Sequence, residues 1–248
     1  MVDTMSSDVR ELTCQGWSLK SRLSIEESQG LLESVLTGAI ERQHVFRDNW
    51  RTLSAKVAFG DHVLILKVPR ARNRRRWERL LTRFRGSDSV RHFRQLQFMR
   101  ELGFKAPEPV MAGELKQDGA VVDSFVLYQY VDGNPPSHQH SKTVLGTLLK
   151  LHEKGYVRND PQLANFLLTD TGVCFIDFRL KKPRMFSHLV MNREIVQFLN
   201  SCSASEIIVP EHIRSSIWFR IAKRFEAYGA AVKRWKKNMR HRKRSERK

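Results

Sequence analysis

Asp160, Asn165 and Asp177, with Lys67 far upstream, are the side chains whose types and spacing could together do chemistry. That chemistry is phosphoryl transfer. It asks for a cation on the phosphates, carboxylate and amide oxygens on magnesium, and a carboxylate beside the attacking hydroxyl. Arg158-Asn159-Asp160-Pro161-Gln162-Leu163-Ala164-Asn165 supplies an Asp and, five residues later, an Asn. Asp160 would orient the acceptor hydroxyl and take its proton, and Asn165 would hold a metal. Ile176-Asp177-Phe178 follows after one hairpin turn. Asp177 is placed there to bind a magnesium ion that bridges the phosphates. Lys67 ends an apolar strand, in the position of a lysine that pairs with the α- and β-phosphates.

Each residue also has an ordinary reading. Lys67 could be a solvated lysine at a strand end, and Asn165 a turn residue closing on its own backbone. Asp160 could cap structure before Pro161, but that leaves its spacing to Asn165 unexplained. Asp177 lies inside an apolar run, where a carboxylate needs a strong partner to stay charged, so a functional role is favoured. His152, near the end of a helix, reads as packed or capping rather than catalytic.

These residues need elements to carry them. Leu53–Phe59 and His62–Val68 read as a hairpin turned at Gly60-Asp61. Trp77, Leu80, Leu81 and Phe84 keep helical spacing, with Arg76, Arg79 and Arg83 on the remaining face, and Asp88–Leu102 is a second helix. Val110–Leu115 and Ser124–Val131 form another strand pair. Asp132-Gly133-Asn134-Pro135-Pro136 breaks structure and divides the chain into 1–131 and 132–248. Ser141–Lys154 is helical, and Asn165–Phe178 is a strand, a turn and a strand. Met191–Asn200 and Glu211–Lys237 are helical, and Ile25–Ile40 is a helix near the start. The fold class expected is α+β, a two-lobed protein-kinase-like plan with a β-rich N-lobe and a mainly helical C-lobe.

Composition narrows the setting. The 248 residues are 41% hydrophobic, enough for a substantial core, and carry a formal net charge of +18. Partners are therefore expected to be anionic. Cys14, Cys174 and Cys202 have no metal-ligand spacing and form no disulfide framework, which suits a reducing cytosol. The first residues have no secretory pattern, and no apolar run is long enough to span a bilayer. The expected location is cytoplasmic, with any membrane met from its surface.

From about Val45 to Phe178 the sequence resembles the bacterial lipopolysaccharide-core heptose and Kdo kinases, an atypical kinase-like group. The resemblance rests on several segments: Lys67-Val68-Pro69-Arg70 with the Arg-rich run to Trp77, Leu102 to Pro109, Leu151-His152, Asp160-Pro161, Asn165-Phe166 and Ile176-Asp177. It implies ATP as donor with Mg2+, and as acceptor a hydroxyl of an inner-core sugar, heptose first among them. It also implies that Gln129-Tyr130-Val131 is the hinge strand, with backbone groups of Gln129 and Val131 on adenine. The sequence departs from the pattern in places. Gln162 stands where such enzymes carry His, Arg158 where protein kinases carry His, and Arg179 at the third position of the Asp-Phe-Gly element. No Gly-x-Gly-x-x-Gly precedes Lys67, so Phe46–Arg51 would cover the phosphates. Gln95 falls where the Glu partner of Lys67 is expected, and an amide cannot neutralise an ammonium.

Two segments hold much of the charge. Lys67–Arg85 has nine Lys or Arg against one acid, and Lys233–Lys248 has ten against one. The first would border the phosphates and an anionic acceptor, since guanidinium groups grip such oxygens in pairs. The second follows a helix whose apolar residues are Trp218, Ile221, Phe225, Tyr228, Val232 and Trp235. Either it holds an anionic glycolipid surface on the cytoplasmic face of the inner membrane, or the helix packs on the C-lobe and the tail is only solvated. Two rival functions stand beside the sugar kinase. A small-molecule phosphotransferase of similar fold would suit cationic substrates, against which +18 argues. A degenerate kinase-fold adaptor would bind nucleic acid or membrane, yet no RNA-binding signature accompanies the basic aromatic stretches.

Overall fold

The computed structural model describes residues 8–70 and 76–245, with the side chains of 76–80, 233, 237 and 240–245 outside that description. The arginines at 72, 74 and 75, the expected packing of Trp77 and Leu80, and much of the basic tail therefore lie outside it. The chain divides into two compact units, Met1–Asp132 and Gly133–Lys248.

The first unit is built on seven antiparallel strands: β1 (Arg10–Cys14), β2 (Trp17–Ser21), β3 (Glu41–Asp48), β4 (Leu53–Phe59), β5 (His62–Val68), β6 (Pro109–Gln117) and β7 (Ala120–Gln129). Their order in the sheet is β1-β2-β6-β7-β5-β4-β3. Helix α1 (Ile25–Thr37) lies between β2 and β3, and α2 (Arg76–Arg85) and α3 (Asp88–Glu101) between β5 and β6. Side chains of a strand alternate between its faces, and here each face has its own helix. Met111 and Leu127 join Leu31 and Leu32 of α1 in the larger core, with Leu53, Ala55, Val57, Leu64 and Leu66. Their neighbours Ala112 and Val126 turn the other way, onto Val90 and Phe93 of α3. Ser24 starts α1 with a capping box: its hydroxyl accepts from Glu27 N–H while the Glu27 carboxylate accepts from Ser24 N–H.

Strands β1 and β2 are additions to the sequence reading, which saw only a helix in the first forty residues. They are short, and the β1 residues Arg10 and Glu11 are exposed and charged, so their alternation is weak. Their turn at Gln15-Gly16 has both residues at positive φ. Gly113 of β6 sits where that edge of the sheet closes on the core. A Cβ there would lie 2.6 Å from the Phe125 ring and 3.1 Å from Leu19. Gly113→Ala is expected to cost about 1–3 kcal/mol by overpacking, read as a lowered urea midpoint with unchanged slope.

The second unit carries α4 (Ser141–Glu153), the hairpin β8 (Phe166–Thr169) and β9 (Gly172–Phe175), and α5 (Ser187–Cys202). A short turn α6 (Glu211–Arg214) and the long α7 (Ile217–Ser245) complete it. Val144, Leu145, Leu148 and Leu151 of α4 are buried, as their spacing demands. Residues 211–237 are not one helix: the chain breaks between Arg214 and Ile217, and α7 runs on to Ser245. The buried residues of α7 do not belong to its apolar stripe. Phe219 and Ala222 are buried, whereas Phe225, Tyr228 and Trp235 are exposed. With a β-rich first unit and a mainly helical second, the chain is α+β.

Candidate active site

The second unit gathers its chemical residues around one buried cation. Arg158 is fully buried. Its guanidinium lies 4.3 Å from the Phe166 ring centre, in an aromatic nest that includes Phe175 and Phe198. Nη1 donates to the Asn165 carbonyl at 3.2 Å. Nη2 donates to the carbonyls of Ile176 at 3.0 Å and Asp177 at 3.5 Å. Ile176 N–H donates to the same Asn165 carbonyl at 3.1 Å. One side chain thus ties the start of the 158–165 loop to its end and to the segment holding Asp177. Burial pushes the Arg158 guanidinium down to about 10, and the carboxylates of Glu194, Asp160 and Asp177 oppose that shift. At neutral pH it is still a cation.

A charge so buried needs compensation nearby, and Glu194 of α5 supplies part of it. Glu194 is itself buried. Its Oε1 accepts from the backbone N–H of Arg158 at 2.9 Å and of Asn159 at 2.6 Å. Its Oε2 lies 2.8 Å from His152 Nε2. His152 is the packed histidine that its position suggested, and it holds the carboxylate rather than meeting solvent. Glu194 was missed from sequence. The signal that could have found it is a carboxylate beside Ile195-Val196 on the inward face of a helix, with Asn192 also buried.

The loop itself is strained where the chemistry would occur. Asn159 and Asp177 both have positive φ, 71° and 46°, in the left-handed region that non-glycine residues seldom occupy. Asn159 is held by Glu194 at its N–H and by Lys181 Nζ on its side-chain oxygen at 2.9 Å. Main-chain bonds between Val157 and Lys181, and from Arg179 N–H to the Arg158 carbonyl, then run the segment after Asp177 back along the loop. Asp160 and Asp177 are exposed, and Asn165 is half-buried. Asn165 Nδ2 donates to the Asp160 carbonyl at 3.2 Å, which turns its Oδ1 toward the opposite side. Asp160, Asn165 and Asp177 are thus brought to one end of the hairpin. Arg158, a mere departure from pattern in the sequence, is the group that holds them.

Among the described residues no three His, Cys, Asp or Glu side chains gather as a metal cage. The oxygen donors of Asn165 and Asp177 could instead hold Mg2+, a hard ion that keeps waters and takes phosphate oxygens as its remaining ligands.

In the first unit, Lys67 is half-buried on β5, opposite Val126 of β7 and Ser54 of β4. Phe46–Arg51, the segment expected to cover the phosphates, runs from the end of β3 into the tip of the β3–β4 hairpin. There the Asn49 side chain accepts from the N–H groups of Arg51 and Thr52, and Arg70 donates to Asp48 Oδ1 at 2.5 Å and to the Asn49 carbonyl at 3.2 Å. An Asx turn and an arginine thereby shape the loop without glycine. Gln129 N–H donates to the Glu108 carbonyl at 2.8 Å. Tyr130 N–H donates to the Val63 carbonyl, and Val131 is half-buried just beyond. Gln95 is half-buried on α3.

No family model matches the sequence, and no curated protein matches it. Solved structures similar to it include WaaP in complex with acyl carrier protein, with 15% identity and a TM-score of 0.48. That likeness covers 83% of this chain and 90% of that one. They also include the Mycobacterium tuberculosis PknI kinase domain, with 19% identity and a TM-score of 0.32, over 56% of this chain and 57% of that one.

Proposed function

We propose that the chain is an ATP-dependent phosphotransferase whose acceptor is a sugar hydroxyl of the lipopolysaccharide inner core, heptose first among the candidates. The observation that carries this reading is the Arg158 clamp. It draws the main chain at Asn165, Ile176 and Asp177 together and leaves the carboxylates of Asp160 and Asp177 exposed at that end. ATP bound with Mg2+ supplies the phosphoryl group. Asp160 orients the acceptor hydroxyl and accepts its proton. Asn165 and Asp177 hold the metal through oxygen, and the strain at Asp177 commits that residue to one orientation. Lys67 pairs with the α- and β-phosphates, and backbone groups of Gln129 and Val131 hold adenine.

The acceptor's chemistry follows from charge. An inner-core sugar carries carboxylates and phosphates, and Lys67–Arg85 offers nine cationic side chains to such oxygens. The acceptor is anchored in an anionic leaflet, so the enzyme works on the cytoplasmic face of the inner membrane, where Lys233–Lys248 adds electrostatic attraction.

The test is transfer of labelled phosphate from ATP, with magnesium, to dephosphorylated core glycolipid. Asp177→Asn should abolish magnesium-dependent transfer while the protein binds the glycolipid as before. Transfer at the wild-type rate in Asp177→Asn, or no transfer by the wild type to any core glycolipid, rejects the reading.

A further inference from the structure

The long helix α7 carries a surface that the fold does not use. Ile221, Phe225, Tyr228, Val232, Trp235 and Met239 recur at alternating steps of four and three residues. At about 100° per residue they form one narrow stripe roughly 27 Å long. The packed face lies about a third of a turn away, at Phe219 and Ala222, which are buried. The stripe is open: Tyr228 is 72% exposed, Trp235 61% and Phe225 52%, with Met239 exposed as well. Phe225 shares its ring with Arg193 of α5, 5.9 Å away, and from Phe225 to Met239 none of the described side chains is buried. Exposed Arg224 and Lys236 border the stripe on its two sides. The only acid from Phe225 to Ser245 is Glu226, and it is occupied by Arg193 and Gln197 on the packed face.

We infer that this stripe is a membrane-docking surface, lying in the interface of an anionic lipid bilayer with Tyr228 and Trp235 inserted among the headgroups. It deepens the membrane part of the reading above but needs neither nucleotide nor phosphate transfer. The charge selects the occupant. A second copy of this helix would bring one cationic border against another, whereas an anionic leaflet neutralises both borders at once. Aromatic side chains between cations suit that boundary, with an apolar ring below and a polar edge at headgroup level. Among the described residues no helix is long and apolar enough to cross a membrane, so α7 lies along the surface rather than through it.

The full chain is to be sedimented, without nucleotide, with vesicles of phosphatidylcholine alone and of phosphatidylcholine and phosphatidylglycerol in equal parts. The wild type should bind the anionic vesicles and not the neutral ones. Tyr228→Ser with Trp235→Ser should weaken binding at least about tenfold. Arg224→Gln with Lys236→Gln should weaken it about 10- to 30-fold. Neither pair touches the core, and an unchanged melting temperature checks this. Tryptophan emission should shift to the blue on binding, and Trp235→Phe should bind but lose that shift. Equal binding to both vesicles, or none to the anionic ones, overturns the inference. So do aromatic variants that bind like the wild type, a blue shift that persists in Trp235→Phe, or a wild-type dimer that the aromatic pair converts to monomer. Phosphate transfer to a soluble core oligosaccharide is read separately, so loss of either property leaves the other standing.

Discussion

Asp160→Ala is expected to lower kcat for phosphate transfer by about 10²- to 10⁴-fold, with KM for ATP and the melting temperature close to those of the wild type. The separation follows from where Asp160 sits. Its side chain is exposed, and the contact that builds the loop comes from its main-chain carbonyl, which accepts from Asn165. Truncation therefore removes the proposed proton acceptor and leaves that main-chain contact in place. Asp160→Asn keeps shape and loses basicity, so it should fall nearly as far. Steady-state kinetics at saturating ATP, beside a thermal melt, measure both. A variant within threefold of the wild type would mean that the acceptor proton leaves by another route and that Asp160 is a loop residue.

Glu194→Ala should cost stability rather than chemistry first, by about 3–5 kcal/mol. The loss leaves the N–H groups of Arg158 and Asn159 and the His152 ring without their acceptor, and removes the carboxylate that most opposes the burial of the guanidinium. Each orphaned donor alone is expected to cost about 1–3 kcal/mol. Glu194→Gln keeps one oxygen that can accept but removes the charge, so it should fall between the two. Denaturant melts give the stability. Amide hydrogen exchange gives the position: Arg158 and Asn159 should lose protection in Glu194→Gln under conditions where the α4 core keeps its own. Unchanged exchange at those two amides would show that Glu194 does not hold the loop. Phosphate transfer by Glu194→Gln, assayed well below its melting point, should fall through kcat because the misplaced groups are Asp160 and Asn165.

These two variants separate the layers of the site. On the proposed reading Asp160 meets the reactant, whereas Glu194 acts only through the loop that it holds. Arg158 belongs to the second layer, although it stands only two residues from Asp160. Its three carbonyl partners span the loop and the hairpin, and Lys could not replace it, since no single ammonium reaches them in a planar fork.

Much of the fold was legible because its signals are local. The hairpin of Leu53–Phe59 and His62–Val68 has the strands and the Gly60-Asp61 turn that the sequence indicated. Helix α4 starts at Ser141 as its apolar spacing required. The run from Asn165 to Phe178 is a strand, a turn and a strand, tightened to Phe166–Thr169 and Gly172–Phe175. Where local signals were thin, the reading failed. Strand β1 pairs with β2, and β2 in turn pairs with β6, whose partner residues lie about ninety to a hundred positions along the chain. The apolar stripe of α7 has a helix's periodicity, and periodicity does not say which face finds a neighbour. Phe219 and Ala222 are buried in a helix that packs on α5, whereas Tyr228 and Trp235 are exposed.

The sequence by itself determined which oxygens and cations the chain possesses, their order, and the secondary elements that carry them, because those follow from residue type and spacing of a few positions. Only the tertiary structure decided that Arg158 is a buried clamp and not a departure from a motif, and that Glu194, thirty-six residues further on, closes it. The reason is physical. The worth of a buried charge depends on how much water is removed and which partners replace it, and both are properties of the packed chain.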